Sequence, residues 1–111
     1  MNISEDPTLA GMLIYHLKQG EIKIGTNEAE ENDIKLNALG IMKRHCVLYY
    51  ENGDVYIEPI QDCKLFVNGL TVLEKSKLRH LDRITLGHAN TFKLVMPGQK
   101  GELYQSLSRY G

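Results

Sequence analysis

The stretch "GIMKRHCVLYYENGDVYIEP", residues 40–59, carries the strongest structural signal in this chain. Two runs within it, "HCVLYYE" and "DVYIEP", are rich in β-branched and aromatic residues and flank the dipeptide Asn52-Gly53. Both residues of an Asn-Gly pair tolerate the positive φ angles that a two-residue type I′ hairpin requires. The stretch therefore predicts two antiparallel strands joined by a tight turn.

A two-residue hydrophobic period continues outward from this hairpin in both directions. In "EIKIG", Ile22 and Ile24 point to one face, and "DIKL", "DRITLG" and "TFKLVM" alternate in the same way. Such alternation marks strands that bury one face and expose the other, whereas "MLIYHLK" is apolar on both faces and predicts a more buried strand. Further turn signals separate these runs at Gln19-Gly20, Asn68-Gly69 and residues 87–90. Many short strands with frequent turns favour an all-β sandwich or barrel.

Length and charge restrict the possible partners. A chain of 111 residues is the size of one domain, so we expect a single domain over residues 1–111 with its core at about 10–97. The formal net charge of −1 provides no global field toward nucleic acid or an anionic membrane. No apolar stretch approaches the ~18 residues of a membrane-spanning helix. We therefore expect neither nucleic acid nor a membrane as a partner.

Two observations favour a cytosolic location. The N-terminal "MNISEDPTLAGM" lacks the basic start and apolar middle of a secretory signal. The two cysteines, Cys46 and Cys63, lie among apolar or β-type neighbours, which suits buried thiols in a reducing compartment better than a disulfide framework.

Two segments depart from the strand pattern. Residues 26–33, within "TNEAEENDIK", form an acidic stretch that we interpret as a solvated loop. In the tail, residues 98–111, Leu103 and Leu107 lie four positions apart. This spacing predicts either one short C-terminal helix or the start of a segment that continues in a longer parent chain.

The sequence offers no catalytic or metal-binding motif. The four histidines include no i, i+4 pair, neither cysteine belongs to a Cys-x-x-Cys, and no ATP-binding Gly-rich loop or nucleophile elbow is present. His45 and Cys46 are adjacent, and adjacent residues of a strand point to opposite faces, which is poor geometry for a thiolate–imidazole pair. We expect no catalytic residue, no metal site and no cofactor.

The order of the motifs resembles the forkhead-associated domain, over roughly residues 10–97. A strand ending in Gly25 is followed by "IKL", a turn ending in His45, a hairpin, a Val-Asn-Gly at 67–69 and the closing "LRHLDRITLGHANTFKLVMP". "LDRITLG" is similar to the family's Gly-Asp-x-Ile-x-x-Gly stretch, with Leu81 in place of the first glycine. The resemblance implies a sandwich of about eleven short, mostly antiparallel strands that binds phosphothreonine peptides through its loops.

Three further motifs resemble the forkhead-associated domain of the third kinesin family, the cargo-carrying motors: "SEDPTLAGMLIYHLKQGEIKIG", "GIMKRHC" and "FVNGLTV". The resemblance implies a cytoplasmic, cytoskeleton-associated fragment of a longer ATP-driven microtubule motor whose motor domain is not part of this sequence. It also implies protein partners, either adjacent coiled-coil segments of the parent or a cargo adaptor. Microtubules would be contacted only through the absent motor domain.

The phosphate-contacting residues of the family are only partly matched. Thr26 stands where the family has an arginine after the glycine, and Met42 stands where it has a serine. His45, a structural loop residue in the family, is present, and Asn68-Gly69 matches the asparagine that holds the peptide backbone. A neutral hydrogen bond contributes roughly 1 kcal/mol, against ~1.5–3 kcal/mol for a charged one. We therefore expect phosphothreonine dependence to be weak or absent.

The resemblance places the contact surface on loops 26–32, 40–45, 64–69 and 87–90. The candidate peptide-binding residues are Thr26, Asn27, Met42, Lys43, Arg44, Asn68 and Gly69. Three alternatives stay open: a working phosphothreonine reader that uses Lys43, Arg44 and Asn68, a structural spacer without a partner of its own, and an enzyme dependent on His45. We interpret the tyrosines of the central hairpin, Tyr49, Tyr50 and Tyr56, as packing across the sandwich.

Overall fold

The computed structural model describes residues 12–88, 90–96 and 101–106, and within these residues it contains eleven strands and no helix. In chain order the strands are β1 (Met12–His16), β2 (Gly20–Gly25), β3 (Ile34–Lys35), β4 (Cys46–Glu51), β5 (Asp54–Pro59), β6 (Leu65–Val67), β7 (Leu70–Thr71), β8 (Ser76–Leu78), β9 (Arg83–Leu86), β10 (Asn90–Val95) and β11 (Glu102–Ser106).

The strands form two sheets that face each other. The first sheet has six strands in the order β1-β11-β10-β9-β6-β7, and the second has five in the order β3-β2-β4-β5-β8. Only β2 and β3 pair in parallel, and every other described pair is antiparallel. The prediction of an all-β sandwich with about eleven mostly antiparallel strands is therefore confirmed.

The central hairpin forms as its sequence predicts. Strands β4 and β5 pair from Cys46 opposite Pro59 to Glu51 opposite Asp54, and the turn residues Asn52 and Gly53 have φ angles of 52° and 82°. These positive angles are those of a type I′ turn, whose backbone twist matches that of the flanking strands. The hairpin thereby sets the register of the second sheet.

The core lies between the sheets and is built from the inward-facing residue of each alternation. Its fully buried side chains include Phe92, Leu94 and Leu103 from the first sheet and Ile24, Leu48 and Ile57 from the second. Burial of a side chain of this size contributes about 1.5–3 kcal/mol to the free energy of folding, before the cost in conformational entropy. This packing holds the loops at the sandwich ends in fixed positions.

The tail contains a strand where the spacing of its leucines had suggested a short helix. Strand β11 lies between β1 and β10, with Leu103 opposite both Tyr15 and Leu94, and Leu103 is buried. Backbone hydrogen bonding along both edges of β11 satisfies its polar groups more completely than an isolated short helix would. The prediction of a helix is wrong for residues 102–106, and Leu107 lies outside the described residues.

Two surface features also differ from expectation. Tyr50 is buried, but Tyr49 and Tyr56 lie opposite each other on the outer face of the second sheet, beneath the Lys75 ammonium. They pack against a cation and not across the sandwich, because adjacent residues of a strand face opposite sides. Strand β1 is an edge strand, since it pairs only with β11 among the described strands, and Leu13 is exposed. Its apolar composition had predicted fuller burial.

Candidate functional site

Four loops meet at one end of the sandwich. These are residues 26–33, 36–45, 60–64 and 87–88, which we call the apical loops. The Thr26 N–H donates to the Lys43 carbonyl oxygen at 3.2 Å, and the Gly87 N–H donates to the Lys64 carbonyl oxygen at 3.0 Å. The His45 ring lies 2.7 Å from the same Lys64 oxygen. These contacts join the loops into one surface.

His45 is buried and uses both ring nitrogens to hold backbone groups. Its Nδ1 accepts from the Met42 N–H at 3.1 Å, and its Nε2 lies 2.7 Å from the Lys64 carbonyl oxygen. Because a carbonyl oxygen only accepts, the ring proton must be on Nε2, and the imidazole is neutral. Burial lowers the pKa of His45, and the hydrogen bond to Lys64 opposes this shift only in part. The side chain therefore fixes the shape of loop 36–45.

Asn32 makes a second connection between loops, which sequence reasoning missed. Its side chain is buried, and Nδ2 donates to the carbonyl oxygens of Thr26 and Lys43, each at 2.8 Å. Gly25 lies beneath this junction, where an added Cβ would collide with the Lys43 carbonyl. Nothing in the acidic stretch distinguished Asn32 from its solvated neighbours, because its role depends on a loop eleven residues away.

Thr26 and Asn27 are both held by neighbouring polar groups. The Thr26 hydroxyl donates to a Glu28 carboxylate oxygen at 3.3 Å and accepts from the Glu28 N–H at 3.3 Å. The Asn27 N–H donates to Asn37 Oδ1 at 3.3 Å. A carboxylate therefore lies beside Thr26, at the position where the family resemblance places a guanidinium.

Lys43 and Arg44 differ in availability although they are adjacent. Arg44 donates from Nη2 at 2.6 Å and from Nε at 2.7 Å to one carboxylate oxygen of Glu31. A backbone N–H and the Arg44 guanidinium lower the pKa of the Glu31 carboxyl group. The Lys43 side chain is exposed and forms no ion pair with any described residue, and Met42 beside it is 54% exposed.

Asn68 and Gly69 are not brought to the apical loops. Strand β6 begins with Leu65 opposite Leu86 and leads away from the apical end, with Val67 opposite Ile84. The Asn68 side chain donates to Asp82 Oδ1 at 3.0 Å and accepts from the Arg83 N–H at 3.0 Å. Asn68 therefore stabilises a turn at the opposite end of the sandwich.

The predicted contact loop 64–69 is corrected accordingly. Residues 65–67 are a strand, and the segment that reaches the apical surface is 60–64. Sequence reasoning missed Cys63, whose thiol donates to the Arg44 carbonyl oxygen at 3.3 Å. Lys64, the first residue of the predicted loop, supplies the carbonyl oxygen that contacts the His45 ring. Sequence reasoning assigned Asn68 to the contact surface because its Asn-Gly motif matched the family. It did not consider that strand β6, which precedes the motif, leads away from the apical loops.

Two glycines allow the outer apical loops to touch. Gly40 and Gly87 have φ angles of 88° and 65°, and a Cβ on Gly87 would clash with the Gly40 backbone. An added Cβ on Gly40 would in turn meet the His88 ring. The backbone of loop 36–45 therefore packs directly on that of residues 87–88. Gly87 ends the motif "LDRITLG", but sequence reasoning did not predict its contact with Gly40.

The arrangement does not assemble a catalytic pair. His45 binds backbone groups with both nitrogens, and Cys46 points into the core, where burial raises the pKa of its thiol. Among the described residues no three His, Cys, Asp or Glu side chains are grouped to hold a metal ion. The described part of the chain also lacks any helix of the length and apolar character needed to cross a membrane.

A family model described as "FHA domain" matches residues 22–87. These residues include all of the apical loops except His88. The chain belongs to the FHA domain family. FHA domains are non-catalytic protein–protein interaction modules that bind phosphopeptides or other protein partners.

Curated relatives of this FHA domain are kinesin-like proteins. The kinesin-like protein KIF28 of mouse is 38% identical over 111 residues, covering 99% of this chain and 10% of that protein. The human kinesin-like protein KIF14 is 37% identical over 105 residues, covering 92% of this chain and 6% of that protein. The chain thus spans at most about a tenth of these relatives.

Solved structures share the fold at low sequence identity. The N-terminal FHA domain of EssC, a component of the bacterial type VII secretion apparatus, superposes with a TM-score of 0.67 at 20% identity, covering 88% of this chain and 47% of that one. The FHA domain of the CT664 protein from Chlamydia trachomatis gives 0.60 at 17% identity, covering 87% and 98%. These likenesses support the sandwich architecture alone.

Proposed function

We propose that this FHA domain is a docking module of a kinesin-like motor, and that its apical surface binds a protein segment without requiring phosphothreonine. One observation carries the proposal: the cation expected beside the phosphate is replaced by Thr26, whose hydroxyl is hydrogen-bonded to the Glu28 carboxylate. A phosphate dianion brought to this position would meet a negative charge in place of a positive one.

The energetics favour this interpretation. A dianion must lose water to enter a protein site, which is costly unless charge-assisted donors replace that water. On the same apical surface, the Arg44 guanidinium is already paired with Glu31. A hydrogen bond from a charged donor contributes ~1.5–3 kcal/mol, about twice a neutral one. Without a free guanidinium, the phosphate would add little affinity.

The rival phosphothreonine reader depends on Lys43, Arg44 and Asn68. Of these, Arg44 is held by Glu31, and Asn68 is bonded to Asp82 at the opposite end of the sandwich. Of that set, Lys43 alone is a cation that forms no ion pair with a described residue. A single exposed ammonium is a strongly hydrated point charge and binds phosphate weakly.

Calorimetric titration tests this proposal directly. Degenerate peptides with a fixed central threonine, and the same peptides with phosphothreonine, are titrated into the chain. We expect the two sets to bind with affinities that differ by less than about threefold. The control is Arg79→Ala, in the turn that contains Asp82 at the end of the sandwich opposite the apical loops. Binding that requires the phosphate, and that is abolished by Arg44→Ala but not by Arg79→Ala, would overturn the proposal.

The kinesin-like relatives support a proposal for the parent protein and its setting. We propose an ATP-driven, microtubule-based motor in the cytoplasm, in which this domain contacts adjacent coiled-coil segments or a cargo adaptor. The support is the 38% identity to the KIF28 protein across nearly the whole chain. Co-sedimentation provides the test: the full-length parent should pellet with microtubules, and this chain alone should stay in the supernatant. Pelleting of the isolated chain would contradict the assignment of microtubule binding to a separate motor domain.

A second candidate function, docking of neighbouring segments of the parent at the side of the sandwich and not at the apical loops, is favoured by a groove on that side. The groove has a volume of about 390 Å³ and includes Ile14, Ile22 and Ile34 in its lining. Lys18 and Asp33, joined by an ion pair of 3.1 Å, also line it. Sedimentation of the chain with the parent's coiled-coil segments tests this role. Complex formation lost with Ile14→Asp, but kept with apical variants, would support side-groove docking. No complex would exclude it and favour the spacer without a partner of its own.

A further inference from the structure

We propose that Leu39 and Met42 form an apolar anchor on the apical surface, which binds an extended protein segment with an apolar side chain flanked by Asp or Glu. This inference rests on the proposed phosphate-independent docking and specifies the chemistry of the partner. Leu39 and Met42 are called the anchor, and Lys43 and Lys64 are the two lysines beside it.

The exposure of the two apolar residues is the first observation. Leu39 is 89% exposed and Met42 is 54% exposed, and both lie on loop 36–45. The other exposed large apolar residues of the described chain are Leu13, Leu70, Leu73 and Leu81. Isolated exposed leucines are common, but two large apolar side chains three residues apart on a binding loop favour a contact site.

The loop cannot bury these side chains by itself, which is the second observation. The Ile41 N–H donates to the Ala38 carbonyl oxygen at 3.2 Å, and the Ile41 side chain is buried beneath the turn. The Met42 N–H is held by His45, and the Gly40 backbone packs on Gly87. A backbone fixed at these points presents its apolar side chains at little further entropic cost on binding.

The charges beside the anchor indicate a carboxylate-bearing partner. Lys43 follows Met42 directly, and Lys64 lies on the neighbouring loop whose carbonyl binds His45. Both lysines are exposed and form no ion pair within the described residues, whereas Arg44 is neutralised by Glu31. Most acidic groups of the apical loops lie on segment 26–33, where Glu28 bonds Thr26 and Glu31 pairs with Arg44, and the exposed Asp62 is two residues from Lys64 on the same loop. Carboxylates on the partner would complement Lys43 and Lys64.

Peptide arrays provide the test. Degenerate peptides with a fixed central threonine are displayed beside the same set with phosphothreonine, and both are probed with the chain. We expect the peptides that bind from the unphosphorylated set to contain a Leu, Ile, Met or Phe close to an Asp or Glu. Binding of these peptides should fall about tenfold or more with Leu39→Ala/Met42→Ala, and by a similar factor with Lys43→Glu/Lys64→Glu.

Matched controls separate a local effect from a general one. Leu70→Ala removes a leucine that is 74% exposed on β7, and Lys93→Glu reverses an exposed charge on β10. Neither should change peptide binding by more than about twofold. Circular dichroism melts of every variant confirm that the sandwich is intact.

The outcomes distinguish this inference from the proposed function. If only phosphothreonine peptides bind, the proposed function fails and the anchor fails with it. If unphosphorylated peptides bind but lack the apolar and acidic preference, or bind the double alanine variant equally well, the anchor alone is overturned. Selection of basic peptides, or no binding by either set, would also overturn it.

Discussion

At the scale of single residues, His45 joins two loops by its ring and is neutral in the fold. Burial lowers its pKa below the ordinary value of 6.5, so the folded chain resists the proton that the unfolded chain accepts. Its contribution to stability is therefore present above about pH 6.5 and is lost as the pH falls toward the lower, folded-state pKa.

This gives a pH-dependence prediction. Between about pH 6.5 and pH 5 the free energy of unfolding should decrease for the native chain. His45→Gln should show a flatter profile over that interval, from a lower starting value. Urea denaturation followed by circular dichroism measures both. The matched control is Gln61→Ala at an exposed apical position, which removes no titratable group and should keep the native slope. An unchanged slope in the His45 variant would refute the assignment.

Leu81 carries backbone strain that a glycine would remove. Its φ angle is 74°, in the left-handed region where an L side chain costs roughly 1–2 kcal/mol, and its side chain is 54% exposed. In the family motif that "LDRITLG" resembles, this position is a glycine. Because the greater freedom of an unfolded glycine offsets part of the gain, Leu81→Gly should raise the free energy of unfolding by about 0.5–1 kcal/mol.

Denaturant midpoints at constant slope measure the Leu81 effect. Leu73→Gly serves as the comparison, because Leu73 is exposed but is not among the residues with positive φ. That change should be neutral or destabilising. A loss of stability in Leu81→Gly would show that packing of the Leu81 side chain outweighs the strain.

At the scale of elements, strand β11 illustrates how pairing overrides local spacing. The leucine spacing of the tail suits a helix, yet Glu102–Ser106 pairs with β10 on one edge and β1 on the other. Two rows of backbone hydrogen bonds and the burial of Leu103 outweigh the preference of an isolated short segment. The first sheet is continuous from β1 to β7 only because β11 fills this position.

The importance of β11 is testable through its buried leucine. Leu103→Ala removes a side chain that is 1% exposed, and the lost burial and the resulting cavity should lower the free energy of unfolding by about 2–5 kcal/mol. Leu73→Ala, at a residue that is 85% exposed, should change it by less than about 0.5 kcal/mol. Thermal melts compare the two. Equal effects would mean that β11 contributes little to the sandwich.

At the scale of the whole molecule, the ion pair between Glu31 and Arg44 couples two apical loops and controls which charges face a partner. We predict that Glu31→Gln frees the Arg44 guanidinium and increases affinity for phosphothreonine peptides over threonine peptides by about tenfold. Calorimetry with the paired peptide sets measures the ratio. Glu21→Gln, an exposed carboxylate on the outer face of the second sheet, should leave the ratio unchanged. A ratio unaffected by Glu31→Gln would mean that the Arg44 side chain does not reach the peptide.

Local sequence patterns were sufficient to predict most strands of this protein, but not β11, and the type of its central turn. Alternation at Ile22 and Ile24 and the Asn52-Gly53 pair are local features, because side-chain direction along a strand and the φ angles of a turn depend only on neighbouring residues. The motif order also led to the FHA family, which the match over residues 22–87 confirmed. Thr26 and Met42, which the family resemblance assigned to loops, lie outside the strands.

Which loops are in contact could be seen only in the tertiary structure and not in the sequence. Arg44 pairs with Glu31 across thirteen positions of sequence, and His45 reaches Lys64 across nineteen. Asn68, which matched a peptide-holding asparagine by motif, lies instead at the far end, because the three-residue strand β6 carries the chain away from the apical loops. Contacts between distant segments depend on how the sheets pair, and no local period or motif specifies that pairing.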